Sequence, residues 1–275
     1  MLQGMVRMTV LASGSRGNAT VVSSSSTRIL VDAGVSCRET IKRMRLAGED
    51  PAALSAILIS HEHNDHISGL QVLARKLKIP VYITGPTHAA WYRLVRHEAR
   101  RKGEEPCNLE RREFFEAGRS FQIGDVAVTP FTIPHDAADP VGFTFRVDGV
   151  KIGLVTDLGY MPASVANHLK GCDGLMIESN HDLEMLKVGP YPWSVKQRVM
   201  SRVGHLSNEA LAQFFANDYD GGAAFLVLAH LSEQNNHPEI ARTAAERALA
   251  GRTGSLFGNR LVLATQGEPL SSITL

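Results

Sequence analysis

Residues 55–66, SAILISHEHNDH, join an apolar β-forming run to three histidines and an aspartate within six positions. A short apolar run of this kind reads as a strand buried in a sheet. The strand must end where His61, His63, Asp65 and His66 can leave the core. His61 and His63, two apart in extended chain, project to the same side and can grip one cation. Asp65 and His66 lie one turn further on and face a neighbouring position. Imidazole nitrogen and carboxylate oxygen suit zinc or manganese, with bonds of about 2.0–2.2 Å for zinc. The competing reading, a polar helix entry with solvated histidines, does not account for this spacing directly behind a buried strand.

Four such ligands are too few for two metals, so more are expected downstream. The same design recurs there: an apolar run ending in an acidic or imidazole side chain. Asp32 follows RILV, His135 follows FTIP, Asp157 follows GLVT, Glu178 ends GLMIE and His230 follows FLVLA. Rigid strand ends that converge can gather these groups into one cleft. His135, Asp157 and His230 are the natural additional ligands, and Asp157, with two oxygens, can bridge two ions.

Between these runs lie helical patterns. SCRETIKRMRLAG opens with Ser36 and Glu39 at capping-box spacing. In ISGLQVLARKLKI, Ile67, Leu70, Leu73 and Leu77 form an apolar stripe at helical spacing. PTHAAWYRLVRHEARRKG, SNEALAQFFAND and PEIARTAAERALA are helical as well. The hairpin-like runs DVAVTPFTI, GFTFRV and KIGLVTD point to mixed sheets within an α/β architecture, two sheets covered by outer helices. The 275 residues show no linker or repeat, so one domain over 1–275 is expected.

A formal net charge of +1 neither demands nor excludes a nucleic-acid partner, and any anion must be held by a local patch or a metal. Cys37, Cys107 and Cys172 are far apart and form no CxxC pair, so neither a thiolate zinc site nor a disulfide framework is suggested. The first residues lack the apolar core of a signal peptide, and no apolar run reaches membrane-spanning length. A cytoplasmic protein that does not engage a membrane is the expectation.

HEHNDH resembles the HxHxDH signature of the metallo-β-lactamase-fold hydrolases, and the likeness runs from LASGSRGN to AHLSEQNN. The resemblance implies a four-layer αββα sandwich with two divalent metal ions, zinc or manganese, along one edge of the sheets. By that pattern His61, His63 and His135 hold the first ion, and Asp65, His66 and His230 the second. Asp157 bridges them around an attacking hydroxide, and Asp32 orients ligands from behind.

The fold alone does not fix the chemistry. Glu178 and His205, which stands directly before a helix, resemble the proton-donating pair of the phosphodiesterase branch that includes the tRNA 3′-processing nucleases. A phosphodiester expels a basic alkoxide, so an acid beside that oxygen lowers the barrier. A neighbouring carboxylate keeps such a histidine protonated and aimed. The interval from Asp157 to His230 is too short for an inserted domain. ASGSRGNATVV and SNHDLEMLKVGPYPWSVKQRVMSRVGHLSN resemble the YycJ (also called WalJ) branch, which implies a 5′-to-3′ DNA exonuclease linked to DNA repair. The expected catalytic residues are His205, Glu178 and Asp65, and DNA is favoured over RNA. Two alternatives stand beside this. One is a small-molecule ester, thioester or lactone hydrolase, for which His205 and Glu178 are dispensable. The other is a non-catalytic metal-stabilised scaffold, which predicts missing ligands, whereas all seven positions are filled.

Other features weigh less. His181 lies off the ligand pattern, and a surface or loop-packing role is favoured. His237, at a helix start beside Pro238, is within reach of a phosphate. Arg93, Arg96, Arg100, Arg101 and Lys102 form one basic helical stripe, diluted by Glu98, Glu104 and Glu105, and Lys42, Arg43 and Arg45 a second cluster; a solvated helix face is the favoured reading of each over phosphate-backbone binding. Tyr191 and Trp193 can stack on bases or pack a loop. SGSRGN offers backbone N–H groups and hydroxyls near the site.

Overall fold

Side chains alternate between the two faces of a strand, and here both faces are apolar on most strands. Such strands must be covered on both sides, and the chain satisfies this with two sheets packed face to face under helices. The computed structural model describes residues 6–250 and 260–275. The first sheet contains β1 (Arg7–Ala12), β2 (Ala19–Ser23), β3 (Arg28–Val31), β4 (Ala56–Leu58), β5 (Val81–Thr84) and β6 (Arg112–Phe115), in that order. A short C-terminal strand, β14 (Ile273–Thr274), pairs with β1 at its edge. The second sheet runs in spatial order from β13 (Arg260–Leu263) through β12 (Phe225–Ala229), β11 (Gly174–Glu178), β10 (Val150–Val155), β9 (Val141–Val147) and β8 (Val126–Thr132) to β7 (Phe121–Ile123).

Each sheet is antiparallel in one half and parallel in the other. β1, β2 and β3 pair antiparallel, then β3 to β6 parallel. β7 to β10 pair antiparallel, then β10 to β13 parallel. Parallel neighbours need crossovers, and helices supply most of them. These are α1 (Cys37–Leu46), α2 (Asn64–Ile67), α3 (Leu70–Leu77) and α4 (Gly85–Lys102) on the first sheet. The second has α5 (Ala163–Leu169), α6 (Leu183–Val188), α7 (Trp193–Val199), α8 (Asn208–Asn217) and α9 (Pro238–Ala250).

Three apolar layers result. Between the sheets, Met8, Ile29, Val31 and Leu58 meet Phe143, Phe145, Ile152, Met176 and Val227. On the outer face of the first sheet, Leu30, Ile57 and Val81 pack under Met44, Leu70, Leu73 and Trp91. On the other outer face, Leu175, Ile177, Leu226 and Leu228 lie under Val165, Leu211, Phe215 and Ala245. Each of these large side chains contributes about 1.5–3 kcal/mol on burial. This is the expected αββα sandwich. Among the described residues no helix is long and apolar enough to cross a membrane, and the three cysteines are unpaired.

Local signals set the helix ends. Ser36 caps α1 by accepting from Glu39 N, Ser207 caps α8 by accepting from Ala210 N, and Gly103 ends α4 in the left-handed region. Glu39 does not close the capping box; its carboxylate pairs with Arg43 instead.

Candidate metal centre

The parallel halves deliver the polar strand ends to one place. Asp32 follows β3, His61 follows β4 after two residues, Asp157 follows β10, Glu178 ends β11 and His230 follows β12. Asp32, Asp157 and His230 hold φ of 60°, 60° and 54°, a left-handed backbone that costs a side-chain-bearing residue about 1–2 kcal/mol. Three such residues at one edge are strain held by surrounding structure, as functional sites hold it. Gly34 allows the closest approach: a Cβ there would lie 1.6 Å from the carbonyl oxygen of Asp65. The turn of α2 that carries Asp65 therefore docks directly on the backbone after β3, and Asn18 N, just before β2, donates to Asp65 O at 2.7 Å.

Two clusters of ligand atoms form. His61, His63 and His135 converge, with atoms all within 4.8 Å of one another, and Asp65, His66, Asp157 and His230 do the same. Asp157 reaches both: Oδ2 is 3.2 Å from His66 Nε2 and Oδ1 is 3.9 Å from His135 Nε2. Asp65 Oδ2 is 3.4 Å from Nε2 of both His66 and His230.

Hydrogen bonds from behind fix which nitrogen faces the cluster. His66 Nδ1 donates to Asp32 Oδ2 at 2.8 Å, His230 Nδ1 to Glu178 Oε1 at 2.8 Å, and His135 Nδ1 to Gly204 O at 3.1 Å. His61 Nδ1 meets Ser60 Oγ at 3.0 Å, and that hydroxyl is itself held by Asp32. In all four, Nε2 is left for the cleft. His63 presents Nδ1 instead, 3.1 Å from His135 Nε2. Buried Nε2 of His61 and His230 and Oδ2 of Asp157 have no hydrogen-bond partner. Buried polar atoms are normally satisfied, and three orphans within these two clusters fit a set of donors to divalent cations.

The charges follow this geometry. Burial, with His66 beside it, pushes His61 well below the ordinary imidazole range, and burial also lowers His135. His66 and His230 go the other way: burial opposes their charge, but the facing carboxylates, Asp157 foremost, raise both well above it. Burial likewise opposes ionisation of Asp157 and Asp65, and the neighbouring histidines outweigh it, holding both carboxyls well below the usual range. Glu178 is fully buried yet lowered to about 2, because His205 and His230 outweigh the cost of burial. It accepts four bonds: Oε1 from Nδ1 of His205 (2.9 Å) and His230 (2.8 Å), Oε2 from the backbone N–H of Leu158 (2.8 Å) and Leu206 (2.9 Å).

Comparison with known proteins places this architecture. A Beta-lactamase superfamily domain model matches residues 27–231. The chain is 39% identical over 244 residues to "Exodeoxyribonuclease YycJ" of Bacillus anthracis, covering 89% of both chains. It is 36% identical over 244 residues to "Exodeoxyribonuclease WalJ" of Streptococcus pneumoniae, covering 89% of this chain and 88% of that one. The chain belongs to the YycJ/WalJ family of the metallo-β-lactamase superfamily. Among solved structures, the metallo-beta-lactamase fold protein YhfI from Bacillus subtilis superimposes with a TM-score of 0.68 at 18% identity, covering 96% of this chain and 99% of that one.

Within this superfamily fold, the seven expected ligand residues and the His205–Glu178 pair lie together. His205, with 18% of its side chain exposed, turns Nδ1 to Glu178, which leaves Nε2 on the far side of the ring. It lines an open cleft of about 220 Å3 with His63, Asp65, Asp157 and His230. The grouping of Asp157, Glu178, His205 and His230 is also dense enough for a cation. There, however, both Nδ1 atoms already bond Glu178 Oε1, so that group is a hydrogen-bonded support.

Other candidates separate from the site. His181 is buried, joins Ser207 through a parallel β-bridge and is lowered to about 4 by burial, so it packs behind the site and has no surface role. His237 is exposed, and its Nδ1 accepts from Glu239 N at the start of α9. Arg43 corrects the second basic cluster: it is buried, donating Nη1 to the carbonyls of Leu11 and Gln266, and holds the fold together. The α4 stripe begins at Arg93, six residues beyond Thr87, which meets Asp139 O, so Arg93 to Lys102 lie roughly 9–23 Å further along the axis.

Asn18 and Arg198 escaped the sequence reading, whereas Ser13 is one of the hydroxyls expected near the site. Asn18, pinned by Gly14, donates Nδ2 to Asp65 Oδ2 at 3.1 Å. Ser13 Oγ accepts from His230 N at 2.8 Å. Arg198 of α7 lines the mouth. The SGSRGN loop thus contributes side chains to the site, and Tyr191 does too, whereas Trp193 is 63% exposed outside the lining.

Proposed function

We propose that this chain is a dinuclear metal-dependent phosphodiesterase, a 5′-to-3′ exonuclease that takes DNA in preference to RNA. The observation that carries the proposal is a shared carboxylate: Asp157 joins two ligand clusters while the His205–Glu178 pair borders the same cleft. Identity of 39% and 36% to exodeoxyribonucleases supports the substrate class. In its full form the proposal is a cytoplasmic DNA-repair enzyme whose residues 1–275 make one domain.

His61, His63 and His135 would hold one zinc or manganese ion and Asp65, His66 and His230 the other, with Asp157 between. Bound there, divalent cations supply Lewis acidity at the phosphoryl oxygens and a hydrolytic nucleophile at neutral pH. The chain's own groups do the rest. Asp32 and Glu178 keep His66 and His230 in the tautomer that presents Nε2. Asn18 steadies Asp65. Glu178, anionic at neutral pH, keeps the Nδ1–H of His205 in place, so Nε2 is the atom that hands a proton to the departing sugar oxygen.

A small-ester hydrolase would not need that donor. The test is direct: quantify bound metal, then supply zinc or manganese with 5′- or 3′-labelled DNA, labelled RNA and a thioester. Mononucleotides released from the 5′ end of DNA are expected. Thioester cleavage with intact DNA would overturn the proposal.

A further inference from the structure

The cleft offers one fixed positive side chain for a polyanion. Among the described residues that line it, Arg198 is the only lysine or arginine; the others away from the clusters include Ser15, Asn180, Tyr191 and Ser232. Arg198 is not free to wander. Asp136 accepts from its Nε at 2.5 Å and from Nη2 at 3.0 Å, a two-point grip that fixes the guanidinium plane. Asp136 follows His135 directly, and its Oδ1 lies 3.6 Å from His135 Nε2, so the arginine is indexed to the first ligand cluster. Nη1 makes no bond to Asp136, and 54% of the side chain stays exposed at the mouth. Val195, one turn earlier on α7, lines the same cleft, as does Tyr191 just before that helix. An anchored cation in a cleft that also offers Tyr191 and Val195 suits a nucleotide chain, whose phosphates need charge and whose bases need a flat contact surface.

We infer that Arg198, positioned by Asp136, holds the substrate phosphate next to the scissile one and so sets the preference for polynucleotide over small diesters. The inference rests on the nuclease reading above. A single surface arginine without a partner would be an ordinary solvated charge. The fork to Asp136 removes most of its rotamer freedom before substrate arrives, which is what a clamp requires.

The experiment compares wild type with Arg198→Ala and Arg198→Lys, each with manganese supplied, on labelled DNA and on bis(p-nitrophenyl) phosphate. Metal content is measured alongside. Losing one charge-assisted contact predicts a KM for DNA raised about 10- to 100-fold. The effect should fall on KM more than kcat, and the ratio of kcat/KM for DNA to that for the small diester should fall with it. The slope of log KM against log salt should shrink by about one phosphate's worth, and Arg198→Lys should restore the slope but not the full affinity. An unchanged KM for DNA in Arg198→Ala would overturn the clamp while leaving the nuclease reading intact. Loss of bound metal, or an equal loss on both substrates, would also overturn it, because Arg198 would then only steady Asp136 and His135. A wild-type enzyme that cleaves the small diester and never DNA would remove the nuclease reading and the clamp together.

Discussion

Replacing Glu178 by glutamine tests the wiring of the site with the loss of one acceptor atom. The carboxylate accepts four N–H groups, two from the backbone and two from imidazoles. A glutamine amide has one accepting oxygen, and its nitrogen only donates. If the oxygen serves Leu158 and Leu206, the amide nitrogen confronts Nδ1 of His205 and His230. Both rings must then keep a proton on Nε2, and His230 loses the Nε2 lone pair that it would need to ligate a metal. Metal affinity should fall about 10- to 100-fold, the usual cost of losing such a support. If the amide flips, two buried backbone donors go unsatisfied at about 1–3 kcal/mol each, roughly 2–6 kcal/mol of stability. Either way Glu178→Gln loses metal affinity or unfolds at lower denaturant, and turnover falls with it. Glu178 is held near 2, below its ordinary 4.5, so its stabilising contribution in the metal-free chain is complete above pH 4.5 and is lost as pH falls towards 2. Denaturant titration and metal analysis at pH 7 therefore see the full effect. Glu178→Gln with wild-type metal affinity, unfolding midpoint and turnover would refute this reasoning.

Three further outcomes are expected. His205→Ala, unlike Glu178→Gln, should keep its metal while kcat on DNA falls about 100- to 10,000-fold, as loss of a general acid does; metal loss in this variant would make His205 a ligand. Asp32→Ala should weaken metal binding about 10- to 100-fold by freeing His66 and Ser60, and titration of the purified variant against a chelator measures this. Adding zinc to the metal-free protein in weak buffer near pH 7 should release protons, because His66 and His230 are raised well above the ordinary imidazole range and must lose protons to ligate. Affinity should accordingly rise with pH, and zinc uptake with no proton release would contradict the charge assignment.

Much of the candidate site was legible because many of its residues are polar side chains ending apolar runs, and buried strands leave such groups only one direction to go. Asp32, His61, Asp157, Glu178 and His230 all follow that pattern. Helices with Ser, Thr or Gly at their ends were equally readable. What stayed hidden depends on contacts distant in sequence. Asn18 reaches Asp65 across 47 positions, a pairing no local pattern announces. The second partner of Glu178 is His230, 52 positions on, so a residue read as serving His205 also supports a metal-ligand candidate. Arg43 looked like part of a basic surface cluster, yet its partners are carbonyls at Leu11 and Gln266 that only the folded chain brings near. α6 and α7 are six and seven residues long and separated by prolines, too short for helical periodicity to declare itself, and Arg198 was missed with them.

Metal stoichiometry addresses the central claim most directly. Titrating metal-free protein with zinc or manganese, with elemental analysis of the dialysed product, should give two equivalents per chain. In Asp157→Ala, which removes the carboxylate lying between both clusters, at most one should remain. A wild-type chain that saturates at one equivalent, or an Asp157→Ala variant that still holds two, would contradict it.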